Sequence, residues 1–272
     1  MNLARQHFLK HSAKAAAVSA AEYGTMQSQT AYEMQLMQLN QDRHRLRQIQ
    51  STEAKIKLKQ SLVPTYIPYA DGIMEANTGV QDEVFMTLLV WCIDTENYAK
   101  ALEMAEFALR HNMIMPDRFE RKTAVLVTEE IANAFLKALK TNAAVDIAVL
   151  QQLESLVIPS DEEDPDIDPK VLDMPDQVKA KLFVALGKAN IKLIQSTDQP
   201  SEQDLESAKS AQGYLSRAIE LDDKCGGKQD LKTVEALLKK FPQQTSEQTE
   251  PLLNANGSQV VDDQGDLQFK TT

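Results

Sequence analysis

From Tyr32 to Leu62 the chain contains neither glycine nor proline. An uninterrupted run of that kind has few folded outcomes other than helix, because those two residues are what end or kink helical stretches. Within it Tyr32, Leu36, Leu39, Leu46 and Ile49 recur at steps of three, four and seven, with Arg43 interrupting the series. A stripe that narrow is too thin to fill a globular core. It suits a helix–helix seam, either against the chain's own body or between subunits. The spacing therefore predicts one helix over Tyr32–Leu62. Pro64 and Pro68 are expected to end it in a rigid corner between an N-terminal arm and the body.

The rest of the chain favours the same class. Only 9 Gly and 10 Pro occur in 272 residues, and 43% of the chain is hydrophobic, enough for a sizeable core. Asp82–Trp91 and Tyr98–Leu109 flank a polar turn at residues 94–97. Small residues at Ala101, Ala105 and Ala108 permit close approach in an antiparallel hairpin. Thr128–Lys140 and Val145–Val157 read as further helices around a joint at Asn142, and Val178–Ile194 and Leu205–Leu221 as a second hairpin. The second is tetratricopeptide-like in its small interior residues but lacks the strict repeat period. The expected fold is all-α: an N-terminal helical arm, a body of antiparallel helical hairpins that is TPR-like in part, and a mostly irregular C-terminal tail. The expected units are a basic arm (1–62), a central helical domain (63–158), an acidic linker (159–175), a C-terminal helical region (176–242) and a tail (243–272) with the character of a partner-binding segment.

Charge is divided by position. Residues 1–62 hold nine Lys and Arg against four Asp and Glu, while the remainder holds 20 against 36, so the net charge of -11 conceals a basic arm on an acidic body. Arg43, Arg45 and Arg47 form one cluster with His44; Lys55, Lys57 and Lys59 form a second; Lys10 and Lys14 lie upstream with Arg5, His7 and His11. Steps of two residues carry these side chains around a helix instead of along one face. Such a surface is either a solvated helix face or a phosphate-contacting one, and it gives no account of base reading.

The sequence offers little for catalysis. It has no phosphate-binding glycine loop, no dinucleotide fingerprint and no Gly-X-Ser-X-Gly elbow. Pro116-Asp117-Arg118-Phe119-Glu120-Arg121-Lys122 imitates a metal-dependent nuclease pattern, but its acids are too close together to come from separate strands. His7 and His11 stand four apart without a nearby Cys, short of a metal set. No catalytic or metal-binding residue and no cofactor are expected, with Mg²⁺ entering only if Asp117 and Glu120 served a nuclease. Cys92, in an apolar run, reads as core, and both cysteines fit a reducing setting. No stretch reads as membrane-spanning.

Several short motifs stand in a particular order and spacing: Leu62-x-Pro64-x-x-x-Pro68-Tyr69-x-x-Gly72, Gly79-x-Gln81-Asp82, Trp91-x-x-Asp94-Thr95, Ala101–Ala105, Met115-Pro116, Thr128-Glu129-Glu130 and Met174-Pro175-Asp176. Together they resemble the small terminase subunit of P2-like tailed bacteriophages, a family also called the terminase endonuclease subunit. The resemblance covers roughly residues 5–225. It implies a protein of the host cytoplasm that binds the packaging site (cos) on double-stranded viral DNA, assembles as a ring, and hands DNA to a large ATPase and nuclease subunit. Joined to the charge pattern, it assigns phosphate contact to Lys10, Lys14, Arg43, Arg45, Arg47, Lys55, Lys57 and Lys59. It assigns subunit contact to Tyr32, Leu36, Leu39, Leu46 and Ile49. An intrinsic nuclease and a purely structural adaptor for the large subunit are the other readings.

Overall fold

A computed structural model describes residues 2–27, 30–116, 119–159 and 167–241. The described residues form eleven α-helices and no strand, so the all-α class stands. In chain order they are α1 (Leu3–Tyr23), α2 (Thr30–Gln48), α3 (Thr52–Ala76), α4 (Glu83–Asp94), α5 (Tyr98–Arg110), α6 (Thr123–Lys140), α7 (Ile147–Val157), α8 (Pro169–Leu172), α9 (Asp176–Leu193), α10 (Glu202–Leu221) and α11 (Lys228–Lys240). The expected tail, 243–272, and residues 160–166 of the acidic linker lie outside the described residues, while α8 falls within the rest of that linker.

Two expectations about the N-terminal region are corrected. The Gly- and Pro-free run is two helices. Ser51 adopts extended backbone and its hydroxyl accepts from the Ala54 N–H at 3.3 Å, so it caps a new helix and turns the chain at residues 49–51. Nor do the prolines form a corner: Pro64 and Pro68 both lie inside α3. Each removes one helical donor. Pro64 does so on the exposed side, next to exposed Gln60. Tertiary packing offsets the loss, since Leu62, Val63, Tyr66, Tyr69, Ala70 and Ile73 are all buried along the same helix.

The arm lies against the body. The buried alanines of α1, Ala13, Ala16, Ala17 and Ala20, face α3 so closely that a Cβ at Gly72 would stand 2.2 Å from the Lys10 carbonyl oxygen. Only glycine fits there. Glu75, one turn further on, receives Lys10 at 2.8 Å and Lys14 at 3.0 Å, and those two ammonium groups hold its carboxyl down at about 2.

Buried hydrogen bonds fix the next layer. Tyr66 donates to Asp42 Oδ2 at 2.7 Å, joining α3 to α2, and Tyr69 donates to Asp82 Oδ2 at 2.5 Å. Asp82 also caps α4, accepting from the Phe85 N–H at 2.8 Å. Burial pushes its carboxyl up to about 6, against the hydrogen bonds that favour the anion. Helix α4 is almost entirely interior; Cys92 is buried there as expected, and burial pushes its thiol up to about 12.

One apolar cluster runs from Ala13 in α1 to Ala218 in α10. The α4–α5 pair, α6 and α7 follow the predicted order, with the α6–α7 joint at Thr141–Asn142 and Asn142 at φ 56°. Helices α9 and α10 make the most extensive helix pair, Gly187 facing the Leu215 side chain. Tyr214 of α10 donates to Glu154 of α7 at 2.7 Å and stacks on Phe183. Helix α11 closes the far end through a small cluster of Ala208, Ala211, Val234 and Leu237.

Candidate nucleic-acid interface

The turn at 49–51 does more than divide two helices. It sets the last turns of α2 beside the first turns of α3, so that Arg43 and Arg47 from one and Lys55 and Lys59 from the other line a single open recess of about 210 Å³. Leu46 and Trp91 form its floor. Trp91 is only 4% exposed and meets Tyr66 edge-on at 5.8 Å, so its ring is committed to packing and offers no platform for a base.

The four cations differ in how they are held. Arg43 is 15% exposed; it pairs with Glu83 at 2.8 Å and donates to Thr87 Oγ1 at 2.8 Å and Asn40 Oδ1 at 3.1 Å. Lys59, 19% exposed, pairs with Asp94 at the end of α4. No ion pair is recorded for Arg47 or Lys55 among the described residues. Four cations against two carboxylates leave the recess positive by two, with the excess on the residues that straddle the turn. The site can hold an anionic oxygen group without first breaking a salt bridge.

The other predicted cations are placed elsewhere. Lys10 and Lys14 are paired with Glu75 at the opposite end of α3; sixteen residues separate Lys59 from Glu75, roughly 24 Å of helix. Arg45 pairs with buried Asp42 at 2.8 Å, and Lys57 with Glu53 at 2.6 Å in an exposed pair one helical turn apart. Six of the eight predicted contacts are thus ion-paired within the chain. Three of the five carboxylates that pair them, Glu75, Glu83 and Asp94, come from elements distant in sequence and carry no local signal, and neither does the Trp91 floor. Asp94 and Trp91 do stand in one of the ordered motifs.

The apolar stripe is spent inside the subunit. Leu39 is 1% exposed, and Tyr32 and Leu46 are buried in the same core; Leu36 packs against it partly buried, and Ile49 is half-buried at the turn. The seam expected between subunits is therefore, for Tyr32, Leu39 and Leu46, a seam with the chain's own body.

Of the nuclease-like segment, Asp117 lies outside the described residues and Glu120 is exposed at φ 52°. Arg121 is drawn to Glu129 at 2.8 Å and Lys122 to Asp173 at 3.5 Å. No group of three or more His, Cys, Asp or Glu suited to a metal ion gathers among the described residues, and none of their helices is long and apolar enough to cross a membrane.

Residues 36–165, which include the whole recess, match the family described as phage small terminase subunit. The chain belongs to the terminase small-subunit, or endonuclease-subunit, family of tailed phages. It is 31% identical over 240 residues to the "Terminase, endonuclease subunit" of Escherichia phage P2, an alignment spanning 88% of this chain and 87% of that protein. No solved structure matches the chain.

Proposed function

We propose that this chain is the DNA-recognising small subunit of a packaging terminase. In this reading it binds the cos region of double-stranded viral DNA through the α2–α3 recess and passes it to the large ATPase and nuclease subunit. The observation that carries the reading is the pair Arg47 and Lys55, without ion-pair partners among the described residues, at the mouth of a recess that already holds two further cations. Phosphate contact of this kind positions a duplex and depends on salt. A ring multiplies it: two contacts per subunit in a ring of about eight give roughly 16. The surface left for ring contacts on α2 is Leu36 with exposed Met34 and Met37, together with Ile49, since the rest of the stripe is occupied. The α9–α10 pair is a TPR-like hairpin in this reading.

Charge reversal at both free cations (Arg47→Glu with Lys55→Glu) tests the site. Binding of a cos-containing duplex, followed by fluorescence anisotropy over a salt series, should weaken at least tenfold, with a salt slope lower by about two per subunit. Lys57→Glu, whose cation is already engaged with Glu53, should change little. Unaltered affinity and slope in the double variant would remove the recess from the DNA path.

The P2 relative's designation as an endonuclease subunit favours a second reading, in which this chain cuts DNA. Incubating the purified chain with cos duplex and Mg²⁺ or Mn²⁺, alone and with the large subunit, separates them. Cleavage by the chain alone, abolished in Glu120→Ala, establishes the nuclease.

A further inference from the structure

A concavity for which the DNA-binding reading has no use lies where the chain leaves α5 and enters α6. Residues 112–116 and 120–123 of that connection, together with Lys170 and Val171 of α8, line a groove of about 600 Å³. Its apolar wall is held in an unusual way. The Gln81 side chain donates to the Ile114 carbonyl at 2.8 Å and accepts from the Ile114 N–H at 2.9 Å, pinning that backbone at two points. Thr123 donates to the Met113 carbonyl at 2.7 Å and fixes the neighbouring residue. The result is an Ile114 side chain presented to solvent at 67% exposure on a backbone tied on both sides. Those bonds hold outward an isoleucine whose burial would otherwise be favourable, so the pinned strip has the form of a docking edge.

The rim adds charge. Arg121, Lys122 and Lys170 stand around the apolar strip with one carboxylate, Glu120, among the described lining residues. Arg121 and Lys122 are drawn to acids outside the groove, but no ion pair is recorded for Lys170 among the described residues. An occupant that complements this groove is apolar and acidic, with side chains of both kinds in close sequence.

The chain carries such a segment beyond its last described helix. Residues 259–269 read Gln-Val-Val-Asp-Asp-Gln-Gly-Asp-Leu-Gln-Phe: two valines, a leucine and a phenylalanine interleaved with three aspartates and no cation. Helix α11 ends at Lys240, and the 20 residues from Phe241 to Val260 reach up to about 65 Å. That exceeds the diameter of a subunit this size, about 45 Å. A second apolar recess of about 380 Å³ lies nearer that end, between α9 and α11, but its described lining balances one cation, Lys240, with one carboxylate, Asp198, and so has no excess positive charge to draw the aspartates.

We propose that the α5–α6 groove is the docking site of this chain's own C-terminal segment, residues 259–269. Its apolar side chains cover Ile114 and Val171, and Asp262, Asp263 and Asp266 face Lys122 and Lys170. The inference is independent of the DNA-binding reading, and its test contains no DNA.

The experiment uses the full chain. Zero-length carbodiimide coupling, mapped by mass spectrometry on a mixture of isotopically light and heavy protein, should join Lys122 or Lys170 to Asp262, Asp263 or Asp266 within one chain. In a full-length variant carrying Val260→Asp, Val261→Asp and Leu267→Asp those couplings should disappear, and amide exchange over residues 112–116 should accelerate about tenfold. Ile114→Glu should do the same; if that variant fails to fold, Lys170→Glu at an exposed position replaces it. Exchange at 112–116 unaffected by the tail substitutions overturns the proposal. So do couplings of Lys170 to residues 161–166 in place of the tail, protection confined to the α9–α11 recess, and couplings joining light to heavy chains, which would make the occupant a second copy.

Discussion

The two ends of the molecule are each built of three helices, yet they are assembled by different means. In α9–α11 each helix packs chiefly on its chain neighbour, and small residues such as Gly187, Ala208 and Ala211 meet a flexible Leu215 or Val234. In α1–α3 the dominant pairing skips a helix: α1 lies on α3, a contact closed by Lys14 and Glu75 sixty-one residues apart, and the backbones touch at Gly72. Around it the specificity comes from buried polar groups, Tyr66 with Asp42 and Tyr69 with Asp82. Local hairpins tolerate small changes because a side chain can move aside. A backbone-to-backbone crossing has nothing to move.

The contrast breaks most sharply at two glycines. Ala has the better helix propensity by about 1 kcal/mol, so on propensity alone Gly72→Ala and Gly187→Ala would both stabilise. At Gly72 the new methyl would enter the Lys10 carbonyl oxygen. The expected outcome is a net loss of about 3 kcal/mol in urea unfolding, with amide protection lost across α1 before the body. At Gly187 the methyl meets Cγ of the buried Leu215 side chain 2.6 Å away, which must turn about χ1 to give room but, unlike a backbone carbonyl, can do so, and the net loss should be about 1–2 kcal/mol, smaller than at Gly72. Equal effects at the two positions would erase the distinction.

A comparably large effect is expected from pH at Asp82. Its folded value of about 6 is above the ordinary 3.8, so the fold binds this proton more tightly than the unfolded chain does. The stabilisation is complete below 3.8 and is lost as pH rises through about 6. Relative to Asp82→Asn, in which that titration is absent, the native chain should lose about 2 kcal/mol between pH 4 and 7. Unfolding curves of both proteins across that range give the difference directly, and parallel profiles would show that the carboxyl titrates normally.

The smallest effect belongs to the C-terminal side. Tyr214→Phe removes the hydroxyl that reaches Glu154, a half-buried carboxylate whose pKa burial already raises. A loss of about 1 kcal/mol in thermal or urea unfolding is expected. A loss of 3 kcal/mol or more would give this end the same polar anchoring as the other.

The same contrast explains what could be read from the sequence. Helices α4 to α7, α9 and α10 follow from apolar periodicity and from turn residues such as Asn142, because their partners are near in sequence. The N-terminal region was misread at two points where distance decides. Prolines inside α3 persist because residues from other helices bury Tyr66, Tyr69 and Ile73 along it. The stripe of Tyr32, Leu39 and Leu46 was legible, but nothing local said that its partner was the same chain. At the candidate site the sequence supplied the cations and concealed their fate. Glu75, Glu83 and Asp94 neutralise Lys10, Lys14, Arg43 and Lys59 from elements far along the chain, and only the fold singles out Arg47 and Lys55. The Ser51 hydroxyl was the local signal passed over; its cap creates the turn that brings those two together.

Helix α3, unbroken by its prolines, is a rod of about 37 Å. Lys55 sits near one tip and Glu75, with α1 fastened to it, near the other. A pull on a duplex held at the first tip would travel along this strut to the terminal helix, instead of dissipating in a hinge.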